Sequence, residues 1–437
     1  MKNKLRKILS LPGLLNTVKS CFKKIADKNS PKARGPKSNT TLQDYLMCGL
    51  AIFNLKFPSL LQYDIQRHFF RIRHNLASLY QVSQPPCDTY LRERLDEVNP
   101  TELRPAFNRV LNELQRGKVL EQMEYWDGAY LLSADGTGYY SSNKVHCENC
   151  CEKHHRNGKI TYYHQLLGAA IVHPDQKAVI PLAPEPIQKQ DGSKKNDCER
   201  NAAKRLFESI RREHPHLKFI VIEDALSSNG PHLKMLDDLS YDYIIGVKPG
   251  DHAFLFDWVK HAKCDTYRQI DQSGTIHEYR YINQVPLNDA NFDYKVNFLE
   301  YTETSAKGEV QRFSWVTKFT LTKETVYKVM RGGRARWKIE NETFNTLKNQ
   351  GYQFEHNFGH GNKNLCVVFS MLMMLAFLID QVQALCCGFF KKMKANLKSN
   401  RALWEWIRAY FKCFEWGSWE EMYEKIIIDT TKGLNTS

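Results

Sequence analysis

The chain has 437 residues, of which 42% are hydrophobic, 12% aromatic and 25% charged. That is enough apolar material for a large core spread over two or three domains, and it excludes wholesale disorder, collagen-like repeats and a disulfide-stapled mini-protein. Lys and Arg total 62 against 48 Asp and Glu, a formal charge of +14, which favours a polyanionic partner such as nucleic acid or an acidic membrane surface.

The positive surplus is concentrated at the start. Residues 1–40 carry eleven cations and a single acid, Asp27, so ten of the fourteen surplus charges lie there. With Pro31 and Pro36, this segment reads as a basic flexible arm, peripheral to the chemistry. Its apolar run from Ile8 to Leu15 is broken by Ser10, Pro12 and Gly13 and lacks a small-residue cleavage site, so no secretory signal is expected. Twelve scattered cysteines, two pairs of them adjacent, suit a reducing compartment better than a disulfide framework.

From residue 41 to 123 apolar residues recur at three- and four-residue steps, as in Leu42, Tyr45, Leu46 and Leu50, then Phe107, Val110, Leu111 and Leu114. This predicts a helical domain. The texture changes after it. Tyr130 to Ser133 is a short apolar run that stops at Ala134-Asp135-Gly136, as a buried strand stops at its end. Strands over 160–172 and 177–182 follow. A helix capped by Asp197 comes next, then a strand over 218–222 running into Glu223-Asp224, a helix over 232–239 and a strand over 243–247. Three strands, helix, strand, helix, strand implies a mixed sheet whose first and fourth strands lie parallel and adjacent. Asp135 and Asp224 would then emerge at one sheet edge. Residues 124–250 form this first part of an α/β core, 251–330 an inserted β-rich module with alternating aromatics, and 331–437 the completion of the core with C-terminal helices. The longest apolar run, Leu365 to Ile379, is fifteen residues ended by Asp380 and Gln381. A bilayer needs about 20, so a buried helix is expected and no membrane.

The segment Arg336-Trp337-Lys338-Ile339-Glu340-Asn341-Glu342 opens the last part of the core. At about 100° per residue, Glu340 falls about 60° from Trp337 on the side of Phe344 and Leu347, whereas Glu342 falls about 140° away. A carboxylate inside an apolar stripe is costly unless paired, protonated or bound to metal, and Arg336 is one turn away as a partner. Two aspartates at neighbouring strand ends and a helical glutamate make a hard oxygen cage suited to two Mg²⁺ or Mn²⁺ ions and to phosphate chemistry.

Those three segments, Ala-Asp135-Gly-Thr-Gly, Ile-Glu-Asp224-Ala-Leu and Arg336-Trp-Lys-Ile-Glu340 through Lys348, interrupted by a strand-rich insertion, resemble the DDE transposases of bacterial insertion sequences. The resemblance runs from about Tyr130 to Lys348. It implies an RNase H-like core, catalysis by Asp135, Asp224 and Glu340 on two Mg²⁺ ions, cleavage of the element's 3′ ends and their strand transfer into target DNA. One group of the family carries a Tyr, Arg, Glu, Lys signature with three residues between Arg and Glu, as between Arg336 and Glu340. Here Gly333 stands at the Tyr position, and seven residues rather than six separate Glu340 from Lys348. Glu342 is the rival for the third acid.

The expected partners are double-stranded DNA, as terminal inverted repeats and target, and a second copy of the chain in a synaptic homodimer, in the cytoplasm with the bacterial nucleoid. Arg334, Arg336 and Lys348 are the candidate DNA contacts. In the helical domain, residues 88–98 are a candidate reading helix, although Arg92, Arg94 and the acids around them equally suit an ordinary exposed face. A metal-dependent nuclease without joining activity, or a DNA-binding derivative without catalysis, are the alternative functions. Two further stretches stand apart. His146-Cys147-Glu148-Asn149-Cys150-Cys151-Glu152-Lys153-His154-His155 is a candidate structural Zn²⁺ loop using Cys147, Cys150, His154 and His155, against the alternative of reduced cysteines in an exposed loop. Tyr352, Phe354, His356, Phe358 and His360 alternate, either as base-stacking groups or, preferably, as a loop packed on the core.

Overall fold

A computed structural model describes residues 7–27, 40–189 and 196–434. Pro31, Pro36 and many of the cations of the predicted arm lie outside these residues. Within the arm, however, Leu11–Phe22 is a helix (α1) capped by Ser10, with Leu11, Leu14, Leu15, Val18 and Phe22 buried. The expectation of a flexible arm is corrected there: an apolar stripe at three- and four-residue spacing hides among the lysines, and burying it against the neighbouring helices outweighs chain entropy.

Five more helices follow: α2 (Leu42–Asn54), α3 (Leu60–Gln66), α4 (Phe70–Tyr80), α5 (Asp88–Asp96) and α6 (Arg104–Arg116). The start of α2 is fixed by a reciprocal capping box between Thr41 and Asp44. The sheet then begins with β1 (Glu124–Trp126) and β2 (Ala129–Ser142), β3 (Cys151–His154), β4 (Ile160–Val172), β5 (Ile180–Pro181) and β6 (Glu185–Ile187). The crossing helix α7 (Glu199–Glu213) leads into β7 (Lys218–Glu223), and α8 (Gly230–Asp238) connects β7 to β8 (Asp242–Gly246). The α7 cap is Cys198 rather than the predicted Asp197, whose carboxylate accepts from Arg205 instead.

β4 runs antiparallel to β2, while β7 runs parallel to both β2 and β8. The first and fourth predicted strands are therefore neighbours and parallel. After α9 (Ala253–His261) come β9 (Asp265–Ile270), β10 (Ile276–Pro286), β11 (Lys295–Thr304) and β12 (Val310–Thr317). The expectation that residues 251–330 form a separate module is corrected: β12 pairs antiparallel with β8, so one twelve-stranded mixed sheet runs β3-β4-β2-β7-β8-β12-β11-β10-β9, with β1, β5 and β6 at its margins. Pairing β12 with β8 covers an edge that would otherwise expose its backbone donors and acceptors. Stacked rings of Tyr267 on Tyr279 and Phe313 on Trp315 line one face of the extension.

The chain closes with α10 (Val326–Arg334), a π-helical turn over Ile339–Phe344, α11 (Asn345–Asn349), α12 (Leu365–Cys386), α13 (Gly388–Leu397), α14 (Asn400–Cys413) and α15 (Trp419–Leu434). α12 contains the longest apolar run and is long enough to cross a bilayer, yet 94% of its most apolar window is buried inside the protein. It packs against α2, α5 and α6, so the helices before and after the sheet share one core. The candidate reading helix α5 turns Leu91, Arg94, Leu95 and Asp96 inward. Arg94 pairs with Asp27, and the Asp96 carboxylate accepts from the backbone N–H groups of Asn362, Lys363, Asn364 and Leu365, satisfying donors at the α12 N-terminus.

The second half of α12 is tied to the segment just after α2 by a buried ion pair between Lys56 and Asp380. Asp380 also accepts from Asn54 at 3.1 Å and Tyr352 at 2.6 Å, and the Lys56 ammonium lies over the Trp404 ring at 3.9 Å. Burial pushes the Asp380 carboxyl up and the Lys56 amine down, each opposed by its partner. Asp380→Ala, which leaves the ammonium buried and unpaired, is expected to destabilise the chain by about 3–5 kcal/mol in denaturant unfolding, whereas the apolar pair Lys56→Met with Asp380→Leu recovers most of that loss.

Candidate active site

The last paired residues of the parallel ladder are Ser133 and Ile222. Asp135 and Asp224 each lie two residues beyond, so they stand level and on the same face; Asp224 follows the end of β7, but β2 does not stop at Asp135 as expected and continues through Gly136 to Ser142, paired with β4. The site therefore lies where β7 ends beside a β2 that runs on, and the carboxyl end of a parallel strand is where open α/β sheets place their chemistry. Asp224 is in extended conformation, and its Oδ1 accepts from the Leu226 N–H at 2.9 Å as the cap of a short turn.

The third acid arrives from the opposite side of the chain. Ser133 Oγ donates to the Arg336 carbonyl at 3.1 Å, fastening the start of the glutamate helix to β2 on the face that carries Asp135. One register further, Gly168 pairs with Asp135 across β4. A Cβ at Gly168 would stand 2.9 Å from Cζ of Phe344, so the missing side chain lets that ring lie directly on the sheet. The π-helical turn, a feature that concentrates at functional sites, spans Glu340. Arg336 Nη1 donates to Glu340 Oε1 at 2.7 Å and reaches Asp135 Oδ2 at 3.5 Å.

Burial, a hydrogen bond to Glu340 and the charge of that same carboxylate push the Asp135 carboxyl up from the ordinary 3.8 to about 7, against the pull of Arg336 and the Gly136 N–H. Asp135 thus keeps its proton toward neutral pH because a second carboxylate crowds it. A fourth acid, missed in the sequence, joins them. Glu199, the first residue of α7, presses its carboxylate against Gly136 so closely that any Cβ there would collide with it, and burial and the charge on Asp224 raise its pKa. An isolated Glu at a helix start reads as an ordinary dipole partner, and only the fold sets it beside Asp224. Glu342 faces elsewhere, into a cleft of about 520 Å³ with Lys391 and Lys394.

The expected phase was partly displaced. Trp337 is 50% exposed, because the helix breaks at Ala335 and Arg336 and resumes as a π turn, and its ring lies under the Arg336 guanidinium. Arg334 pairs with Glu303 and Lys348 with Glu355, so all three candidate DNA contacts hold acids in this state. Gly333, at the signature's Tyr position, packs against the Trp315 indole where no Cβ fits. Asp135 and Glu340 converge on the Arg336 guanidinium, but Asp224 remains on its own turn. Among the described residues, the set of three or more ligand atoms within 4.8 Å of one another is Cys147, Cys150, His164 and His360.

That set corrects the zinc loop. His154 is exposed and pairs with Glu152, and His155 bonds Thr161, because β3 carries both away from the cysteines. His164 of β4 and His360 take their place. The same geometry accounts for the alternating aromatics: Tyr352, Phe354, Phe358 and His360 are buried, and only His356 is exposed, which is the packed-loop reading.

No family model and no curated protein matches the chain. Among solved structures it is similar to the piggyBac transposase synaptic complex with hairpin DNA, determined by cryo-EM, at a TM-score of 0.39 and 10% identity, covering 100% of this chain and 83% of that one. At that score the functional reading rests on this chain's own residues.

Two outcomes follow from the site. Since the folded chain holds the Asp135 proton more tightly than the unfolded one, it binds more protons between pH 3.8 and about 7, and the stability from this group is lost as pH rises through that window. Metal-free Asp135→Asn should lack that loss, so its melting temperature gains on the parent between pH 4 and pH 8. Gly168→Ala should push Phe344 off the sheet and break the contact between Glu340 and Asp135, flattening the same pH difference while costing about 1–3 kcal/mol in unfolding.

Proposed function

We propose that the chain is a metal-dependent DNA transposase of the DDE class, built on an RNase H-like core. The observation that carries this reading is the meeting of Asp135 and Glu340 beside a level Asp224 on the neighbouring parallel strand. The sheet supports it as well: an antiparallel β2-β4 pair with β5 and β6 on its far edge, followed through two helical crossings by parallel β7 and β8, is the strand order such a core requires.

The donor set fits hard divalent cations. Asp135, Asp224, Glu199 and Glu340 lie around the end of the parallel β2-β7 ladder, with the Arg336 guanidinium bonded to Glu340 and beside Asp135, an excess of negative charge that a cation relieves. Asp135, Asp224 and Glu340 would hold two Mg²⁺ or Mn²⁺ ions, which when bound supply activation of a water or 3′-hydroxyl and stabilisation of the leaving oxygen. Arg336 orients Glu340 toward Asp135 and offsets their repulsion. Ser133 and Gly168 hold the glutamate helix at the distance this requires. The partners under this reading are the duplex ends of the element, target DNA and a second copy of the chain, in the bacterial cytoplasm.

The test uses purified full-length chain, Mg²⁺ or Mn²⁺, and a labelled duplex carrying the inverted repeats that flank its reading frame. Cleaved 3′ ends and joined products are expected, with Asp135→Asn, Asp224→Asn and Glu340→Gln each lowering both by roughly two orders of magnitude or more, and Glu342→Gln staying close to the parent. Duplex affinity should fall steeply with salt. Cleaved ends without joining would make the chain a nuclease, and full activity in Asp135→Asn would overturn the site.

A further inference from the structure

The Cys147, Cys150, His164 and His360 cluster lies outside the acid site. We propose that it is a closed structural Zn²⁺ centre, with both sulfurs and the Nε2 atoms of both imidazoles as ligands. The inference stands independently of the reaction assigned to the acids.

The distances have the right scale. The two Sγ atoms are 3.8 Å apart. Cys147 Sγ and Cys150 Sγ lie 3.3 and 3.4 Å from His164 Nε2, and Cys150 Sγ lies 3.2 Å from His360 Nε2. A tetrahedral ion with Zn–S of about 2.3 Å and Zn–N of about 2.0–2.1 Å sets its ligands roughly 3.8 Å apart for two sulfurs and roughly 3.5 Å apart for sulfur and nitrogen. Four of the six edges thus match those of a zinc tetrahedron, and all four ligand atoms lie within 4.8 Å of one another. A sulfur separation of 3.8 Å is also far beyond a disulfide bond of about 2.05 Å.

Burial asks for such an ion. The four residues are between 0% and 8% exposed, and the sulfurs and Nε2 atoms find their near polar neighbours chiefly in one another. Withdrawing two thiols and two imidazoles from water with so few compensating bonds is expensive, and a cation that converts the thiols to bound thiolates repays it. Two soft sulfurs and two imidazoles in tetrahedral arrangement select zinc over the hard cations suited to the acids. Four protein ligands and burial leave no open coordination position, so the centre holds structure and carries out no chemistry.

Its placement gives it a purpose. Cys147 and Cys150 lie in the loop after β2, the strand that carries Asp135. His164 pairs with Tyr140 across β4. His360 lies between the glutamate helix and α12, where the Tyr140 ring packs against it at 4.2 Å. The cysteine loop also reaches this segment directly, through Asn149 Nδ2 to the Lys363 carbonyl at 2.9 Å. One ion would lock the far end of β2 and β4 to the segment that leads from Glu340 into the core.

The full-length chain, expressed with zinc and purified under reducing conditions, should contain about one zinc per molecule by mass spectrometry. His164→Gln, His360→Gln, Cys147→Ser and Cys150→Ser should lose it, and the double variant His154→Gln with His155→Gln should keep it. Should the ligand variants fail to fold, the parent decides alone: Co²⁺ exchanged for zinc should give the intense visible bands of a tetrahedral site and the charge-transfer absorption of two thiolates. Zinc-free parent protein, an octahedral cobalt spectrum, a Cys147 to Cys150 disulfide in the purified chain, or zinc retained by folded His360→Gln would each overturn the proposal.

Discussion

The interaction on which the candidate site depends is a repulsion held in check. Asp135, midway along an interior strand where β7 ends, is approached by Glu340 in a half-buried setting, and the Arg336 guanidinium between them and the raised Asp135 carboxyl keep the repulsion in check. Folding sets like charges together only where something else is gained. Glu199, drawn in against Gly136 and Asp224, adds to the same negative centre. In a chain of net charge +14, this pocket of opposite sign is a local feature worked against the overall field, and it is suited to concentrating cations.

Close approach of helix to sheet makes that contact available. Where β4 pairs with β2 at Asp135, Gly168 leaves room for the Phe344 ring, and where α10 crosses β12, Gly333 leaves room for the Trp315 indole. Each position exchanges a side chain for proximity. The helix breaks at Ala335 and Arg336, leaving Trp337 half-exposed, and resumes into the π turn that carries Glu340. A regular helix through the same anchor points would rotate the two carboxylates out of register.

The helical layer supports the sheet from sequence-distant ends. α12 is buried by helices from the first quarter of the chain as much as by those that follow it. Its polar interruptions are the points where it is pinned: Asp96 gathers the free N–H groups at its start, and Asp380 takes Lys56, Asn54 and Tyr352 in its second half. Buried charges of this kind favour one register over the many that an apolar 22-residue helix would otherwise allow. The Cys and His cluster lies immediately before this helix, so the sheet end, the glutamate helix and α12 meet in one small volume.

By itself, the order of residues determined what local physics can express. Periodicity located α2 and α6, apolar runs bounded by acids and glycines located β2, β4, β7 and β8, and the parallel pairing of β2 with β7 followed from the order of strands and helices. It also singled out Asp135, Asp224 and Glu340, and preferred Glu340 to Glu342 by helical phase. The tertiary structure decided whatever depends on residues far apart along the chain. It buried α1 despite its lysines, joined β12 to β8, brought Glu199 to the acids, turned Arg94 and Asp96 inward, and exchanged His154 and His155 for His164 and His360 beside the cysteines. The reason is common to all of these: short-range preference is set by neighbours within a turn or a strand, whereas a ligand set or a charge cluster is set by which surfaces the core brings together, and His360 lies 210 residues from the Cys150 sulfur it meets.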